Sequence, residues 1–387
     1  MNIFLTGATG FLGGELLVNL AQRPGIDKIF CLVRSSSIDQ ATQRLQQVFD
    51  LHGDPFDREK IIPVLGDFFD KQLAASLQDN AELARTDIII HCAANTSFSK
   101  IYDHMVDQVN IRGLEKLLIW ARALLHLQTF VYVGTATICG KEIKNRVVHE
   151  DESPNLQAQH LVRYTYTKMQ GELMLDKYLP RQQTLIVRPS IIMGDSRPVV
   201  PRSPVILWTV ATINKLRLIP TTEYAILDMI PVDYAARAIV ELLFVRRNYH
   251  TYHISAGAAG ATSTFKLAQS LSPLFPDLPP FHFIRKPMIN QVRLWSKNNL
   301  KPGSELYNYP LYLDYWQKVF PKTGSLRILL AGLTPYLEFI ELGQSFDNMR
   351  LLKELPSIKQ SPAAHDYIGS CVPYMEKINI LEGAIDP

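Results

Sequence analysis

A strand, a turn with glycines at every third position and a helix open the chain, and no other feature restricts its fold so strongly. Asn2-Ile3-Phe4-Leu5 is apolar and strand-like. Thr6-Gly7-Ala8-Thr9-Gly10-Phe11-Leu12-Gly13 follows it directly and leads into a helical stretch to Ala21. Each glycine meets a different steric demand: Gly7 permits the sharp turn, Gly10 lets backbone approach a pyrophosphate where a Cβ would clash, and Gly13 lets helix pack closely on strand. Phosphate oxygens then meet the free N–H groups of this turn, which includes Thr9, Phe11 and Leu12, at the positive end of the helix. The pattern reads as a dinucleotide site where a parallel strand ends.

The rest of the first half supports that architecture. Short apolar runs at 3–6, 29–33, 61–65, 88–91, 129–133 and 185–188 alternate with amphipathic stretches at 13–21, 40–51 and 109–125, as in βαβ units. A helix over 234–245 and a strand over 252–255 complete the series. Beyond Ala256 the alternation fades, and 264–272, 309–319 and 325–342 read as helices. The expected fold is α/β: a Rossmann-type doubly wound parallel sheet with a smaller, mostly helical C-terminal substrate region. Residues 1–255 form the dinucleotide-binding domain, with a substrate-side insertion around 195–228, and 256–387 form the substrate-binding or interaction region. The residues from about Gly383 onwards are expected to fray.

Composition excludes several classes. Of 387 residues 47% are hydrophobic and 20% charged, and the net charge is only +3 with both signs mixed, so there is no footprint for nucleic acid. The four cysteines Cys31, Cys92, Cys139 and Cys371 form no CxxC pair and no metal-ligand cluster; they read as reduced thiols, with no metal implied. No basic leader precedes the first strand, and no run reaches the ~20 apolar residues of a membrane span. The expectation is a cytoplasmic chain, compatible with a homodimer.

Cofactor preference is read where the second strand ends. An NAD-selective site usually has an acid there for the ribose 2′-hydroxyl. This chain has Cys31-Leu32-Val33-Arg34-Ser35-Ser36. Arg34 offers a guanidinium fork to a 2′-phosphate, the serines add hydroxyl donors, and Arg44 can close the other side, so NADP(H) is expected. In Gly66-Asp67-Phe68, Asp67 stands where an adenine amino group is read, with Phe68 beside it. In His91-Cys92-Ala93-Ala94, Ala93 and Ala94 are small where backbone passes under a cofactor, and His91 reads as a core histidine.

Carbonyl reduction by hydride needs a proton donor at the oxygen. Tyr164 and Lys168 stand four apart at the head of a helical segment running through 169–179, which stacks them on one face. A neighbouring ammonium is expected to stabilise the phenolate and bring the tyrosine into acid/base range. Phe130-Val131-Tyr132-Val133-Gly134-Thr135-Ala136-Thr137 ends the preceding strand, and Thr135 is the hydroxyl expected to hold the substrate oxygen. The glycine loop, Thr135 and the Tyr164/Lys168 pair occur in the order that such an enzyme requires.

Over residues 1–255 the sequence resembles the extended short-chain dehydrogenases/reductases, and more narrowly their fatty acyl-CoA reductase and thioester reductase branch. The GxxGxxG spacing of 6–13, Arg34 with Arg44, Asn110-Ile111-Arg112-Gly113, Arg188-Pro189-Ser190-Ile191-Ile192-Met193-Gly194-Asp195-Ser196-Arg197 and Ile230-Pro231-Val232-Asp233-Tyr234 carry the likeness. The resemblance implies that Pro189 and Ser190 line the nicotinamide and that Asn110 supports the active-site hydrogen bonds. It gives Thr135, Tyr164 and Lys168 the catalytic roles, and Lys168 a part in holding the cofactor. Where the family usually has Ser-Thr-Ala-Tyr, this chain has Gly134-Thr135-Ala136-Thr137.

The expected activity is NADPH-dependent reduction of an acyl thioester, carried on coenzyme A or an acyl carrier protein, to aldehyde or alcohol. The apolar stretch 205–218 and the C-terminal part are read as either an acyl channel or plain core. Three rivals stand beside this reading: an epimerase or dehydratase of nucleotide sugars, a reductase of small ketones or aldehydes, and a non-catalytic NADP(H)-sensing protein.

Overall fold

The computed structural model describes residues 1–198, 204–320 and 323–385. Seven strands form the main sheet: β1 (Asn2–Thr6), β2 (Lys28–Val33), β3 (Ile61–Leu65), β4 (Ile88–His91), β5 (Thr129–Val133), β6 (Thr184–Pro189) and β7 (Thr251–Ile254). Their order is β7-β6-β5-β4-β1-β2-β3, and every neighbouring pair is parallel. β1 lies between β2 and β4, so the chain crosses in opposite directions on its two sides and leaves a crevice at its C-terminal end.

Side-chain alternation divides the apolar runs between two layers. Ile3, Leu5, Ile29, Cys31, Val33, Ile88 and Ile90 face α1 (Phe11–Ala21), α2 (Ile38–His52) and a helix at Val232–Leu243. Phe4, Phe30, Leu32, Ile89, Phe130 and Tyr132 face the opposite layer, which holds α3 (Leu114–Ala123) and α4 (Arg163–Tyr178). With both faces covered, the strands need no polar side, which is why they read as continuous apolar runs.

A further core lies beyond the C-terminal ends of the strands. It joins α5 (Pro204–Leu216) to helices from the last third of the chain, α7 (Thr264–Leu271), α8 (Thr323–Ile340) and α9 (Ala364–Met375), with Trp208 and Trp316 buried in it, whereas the helix at Val232–Leu243, α6, packs in the sheet layer. Both indole N–H groups are bonded, to the carbonyls of Ile380 and Leu216. Truncating either ring to alanine costs about 3–5 kcal/mol in such a setting. The expected helices at 264–272, 309–319 and 325–342 are present; α9 was not read from the sequence. The expected insertion at 195–228 includes residues 199–203, which lie outside the described residues.

The chain then returns to the sheet. Ser345–Phe346 pairs in parallel with Val147–Val148, and Leu351, Leu355 and Ile358 enter the core beneath the sheet. The Asp228 carboxylate accepts the backbone N–H groups of Ala256 and Phe346, and Glu150 accepts those of His253 and Arg350.

Two expectations are corrected. The helix expected over 109–125 begins earlier, at Asp103–Asp107, passes through a π-turn at Gln108–Gly113 and ends at Ala123, leaving Leu125 exposed. The end of the chain does not fray from Gly383: Ile380–Ile385 is helical and Gly383 packs on Trp208 so closely that a Cβ would collide with the indole. Asp386 and Pro387 lie outside the described residues.

Candidate active site

The turn after β1 is held from beneath. Thr6 Oγ1 bonds His91 Nδ1 at 2.9 Å and accepts the Ala93 N–H at 3.1 Å, so the ends of β1 and β4 are locked together. Gly7 has φ +77°, and a Cβ there would sit 2.7 Å from the Ala93 nitrogen. A Cβ on Gly13 would strike the Gly7 carbonyl. The turn therefore has room for backbone alone, and α1 starts after Gly10 without any side-chain cap. Its first N–H groups remain available to an anion. His91 is buried and its pKa is pushed down to about 3 by burial, with Lys168 adding to the effect, which makes it a neutral core residue.

One cavity of about 990 Å³ begins at this turn. Gly7, Thr9, Gly10, Phe11, Leu12, Gly13, Arg34, Arg44, Asp67, Phe68, Ala93, Ala94, Thr135, Tyr164, Lys168, Pro189 and Ser190 all line it. Arg44 bridges two of its walls, donating to the Arg34 carbonyl at 2.6 Å and to Thr9 Oγ1 at 3.2 Å. Ser35 and Ser36 turn instead to Gln40 Oε1, and Ser37 caps α2. The hydroxyl donors expected from the first two serines are thus spent within the loop. A dinucleotide, whose pyrophosphate needs a turn walled by backbone alone, fits these residues, and Arg34 and Arg44 line the cavity beside that turn.

Asn110 departs from the other site residues, for it does not reach the cavity. It sits on the π-turn, buried, with its amide donating to the Asn95 carbonyl and to Thr167 Oγ1, both at 2.9 Å, and accepting the Asn95 N–H at 2.8 Å. Thr167 Oγ1 in turn donates to the Tyr164 carbonyl at 2.8 Å. Asn110 thereby ties the loop after β4 to the turn of α4 that carries Tyr164.

Lys168 is 3% exposed and donates to the Val133 carbonyl at 2.7 Å. Burial lowers its pKa to about 8. Its ammonium lies 6.0 Å from the centre of the Tyr164 ring. The expected lowering of the tyrosine pKa is therefore corrected: desolvation in apolar surroundings, with Cys92 beside it, raises the phenol above its ordinary value. The Tyr164 hydroxyl is held protonated. Thr135 caps the turn Ala136–Cys139 and its hydroxyl lies 3.0 Å from that of Thr137 and 3.4 Å from the Pro189 carbonyl. Gly134 has a reason to lack a side chain, because a Cβ would come within 2.9 Å of Glu172 Oε1, which is engaged with buried Arg188.

Past Tyr164 the cavity becomes apolar. Phe98 stacks on Tyr164 at 6.3 Å and meets Tyr336 and Phe339 of α8 at 4.8 and 5.1 Å. Ile206, Val210 and Ile213 of α5 line the lobe, whereas Leu207, Trp208 and Ala211 face the core. The stretch thus lines a cavity on one side of the helix and packs in the core on the other. Val205 is among the residues whose side chains are not described. The sequence reading missed Phe98, Tyr336 and Phe339; the three-residue spacing of the last two on an expected helix was the available signal.

A family model for the male sterility protein, of the NAD-binding kind, matches residues 5–239. The chain belongs to this family. It is an oxidoreductase of the extended short-chain dehydrogenase/reductase type that takes a nicotinamide dinucleotide. Two of the segments that carry the likeness meet in space: Asp233, in the Pro-Val-Asp-Tyr run, accepts the N–H and the hydroxyl of Ser196. The chain is 25% identical to human fatty acyl-CoA reductase 1, over all of this chain and 78% of that protein. It is 27% identical to human fatty acyl-CoA reductase 2 over 75% of this chain and 64% of that one. Among solved structures, the terminal R domain of the myxalamid PKS-NRPS pathway aligns with a TM-score of 0.73 at 22% identity, covering 96% of this chain and 90% of the domain. UDP-glucuronic acid 4-epimerase of Bacillus cereus, in complex with UDP-glucuronic acid and NAD, aligns with a TM-score of 0.63 at 17% identity, covering 97% and 99%. These two structures share the fold. Among the described residues no helix is long and apolar enough to cross a membrane.

Proposed function

We propose that the protein reduces an acyl thioester, borne by coenzyme A or by a carrier protein, at the expense of NADPH. The observation that carries the proposal is the continuity of one cavity from a phosphate-binding turn, past Tyr164 and Thr135, into an apolar lobe. A fatty thioester has the same succession of parts, a polar carrier, a reacting carbonyl and a hydrocarbon tail. The two similar human reductases are named for such substrates. The preference for NADPH rests on Arg34 and Arg44 and on the lack of an acid at the end of β2.

Bound NADPH supplies the hydride. As charge gathers on the carbonyl oxygen, the protonated Tyr164 hydroxyl donates to it and the Thr135 hydroxyl adds a second hydrogen bond. Lys168, anchored on Val133, keeps a positive field near the phenol as its proton leaves. Asn110 and Thr167 fix the turn of α4 on which Tyr164 stands. The hemithioacetal that results expels its thiol and leaves an aldehyde, which a second round of reduction takes to the alcohol.

The epimerase reading fares worse because an apolar lobe offers nothing to a second sugar. NADPH oxidation by the purified protein, offered acyl-CoAs of graded length, tests the proposal. Stoichiometric oxidation that Tyr164→Phe abolishes is expected, with aldehyde or alcohol as product. Absence of net oxidation with every thioester, CoA-bound or carrier-bound, would sink it.

A further inference from the structure

Among the described residues two arginines are buried, and they differ in company. Arg188 forms a fork with Glu172. Arg217 is 0% exposed, and its Nε, Nη1 and Nη2 have no hydrogen-bond partner among the described residues. Its surroundings are aromatic: the guanidinium carbon lies 4.3 Å from the centre of the Phe281 ring and 5.7 Å from that of Phe275. Ring faces attract a cation, but they do not replace the hydrogen bonds a desolvated guanidinium has lost.

The backbone at this position is also unusual. Arg217 follows the last turn of α5 with φ +64°, a conformation that a helix end ordinarily assigns to glycine. It is held there by its N–H on the Ile213 carbonyl and by its own carbonyl, which accepts the His282 N–H. Strain of this kind persists where the surroundings impose it, often where a ligand is held. The strand Leu218–Ile219 leads away from this turn. Leu218 enters the core around Trp316, while Ile219, Ile213 and Phe281 line the apolar lobe. Ile213 stands two turns, about 10 Å, along α5 from Ile206. At the Ile206 end, Tyr336 touches Trp208 and reaches Tyr164 through Phe98. The guanidinium thus lies behind the Phe281 wall, on the side of the lobe away from Tyr164.

We propose that Arg217 is an anion site closed off by Phe281, which receives a carboxylate when that ring swings aside. The carboxylate is either the far end of an ω-carboxyacyl thioester or the head of a free long-chain acid occupying the lobe in reverse. The first source rests on the thioester reading above; the second does not.

The test compares ω-carboxyacyl-CoAs with methyl-terminated acyl-CoAs of equal length as substrates for the whole protein, over a series of lengths. At the length that reaches Arg217, the carboxylated substrate should be used about tenfold more efficiently or better, as a charged hydrogen-bonded pair implies. Arg217→Gln should remove the preference and Arg217→Lys should keep part of it. Should Arg217→Gln fail to fold, Phe281→Ala serves in its place, since opening the wall should raise the preference. Equal use of both series by the wild type at every length, with no inhibition by free acid, would overturn the proposal while leaving the thioester reading intact. If no thioester is reduced, that reading falls and calorimetric titration with palmitic acid and its methyl ester decides: tighter binding of the acid that Arg217→Gln loses supports the site, and equal binding overturns it. Inhibition of the wild type by the free acid that the variant escapes assigns the carboxylate to the free acid.

Discussion

At its dinucleotide end the cavity is walled by backbone and by side chains drawn from the first 94 residues, set at the ends of adjacent parallel strands. At its apolar end most of the wall consists of side chains from α5, α7 and α8, spread between Ile206 and Ile340, with Phe98, Ile219 and Phe281 added from outside these helices. The first end demands absent side chains, as at Gly7 and Gly13, so substitutions there are judged by what they add. The second demands volume and shape, so it tolerates exchange among apolar residues and is adjusted by small changes. One end fixes the chemistry and the other sets what is brought to it. Tyr164 and Lys168 stand where the two meet.

The largest effect is expected at that junction. Tyr164→Phe removes the donor hydroxyl and keeps the ring that stacks on Phe98, so turnover should fall by about 10²–10⁴-fold. NADPH affinity, measured by fluorescence titration, should stay within about twofold because no cofactor contact is lost. A parallel loss of binding would show that the tyrosine belongs to the dinucleotide end. Next comes Arg34→Ala. A charged hydrogen bond to a phosphate is worth about 1.5–3 kcal/mol, so the KM for NADPH should rise about ten- to hundredfold while that for NADH stays nearly constant. Equal effects on both cofactors would assign the 2′-phosphate contact elsewhere.

The same contrast explains what could be read from the sequence. All seven strands of the sheet were legible to within about a residue at each end, because buried parallel strands are apolar throughout and turn residues bound them. The glycine turn was legible because its constraint is local: a collision with Ala93 or with the Gly7 carbonyl is answered by glycine and by nothing else. The apolar lobe was only half legible. Ile206, Val210 and Ile213 alternate with core residues on one helix, and apolarity does not say which side is hollow. The meeting of Phe98 with Tyr336 and Phe339 joins residues more than 230 positions apart, and no local pattern announces it. The Tyr164 pKa was misjudged for a related reason: the four-residue spacing to Lys168 is local, but burial and the Val133 carbonyl that captures the ammonium are not. Asn110 was recognised by motif, yet its place behind the cavity follows from the π-turn.

Lys168 allows a third test, of how dry the junction is. Its pKa falls from the ordinary 10.5 to about 8 on folding because burial penalises the ammonium. Below about pH 8 the folded protein bears that cost in full. Between about 8 and 10.5 the folded state releases the proton while the unfolded state keeps it, so the unfolded state binds more protons and stability rises with pH. Relative to Lys168→Met, the wild type should therefore gain on the order of 2 kcal/mol between pH 7 and pH 10, measured by urea denaturation at each pH. A constant difference would mean that water reaches the ammonium and that the junction is wetter than its burial indicates.

The smallest effect is expected inside the lobe, and it is the one that separates the two ends most cleanly. Ile213→Trp adds bulk to a side chain that lines the cavity from α5, on the side away from Tyr164. The dinucleotide end shares no wall with it, so NADPH affinity and turnover of the shortest thioesters should stay within about twofold. Long-chain thioesters should lose about tenfold in kcat/KM, since a few displaced methylene groups are worth about 1–3 kcal/mol. The loss should appear in KM before kcat, because the tail contributes binding that is the same in ground and transition states. If short and long chains lose alike, the tail does not lie along α5. The hydrocarbon would then have to leave Tyr164 by another route, and the lobe beneath α5 would be free for the carboxylate-bearing acid assigned to Arg217.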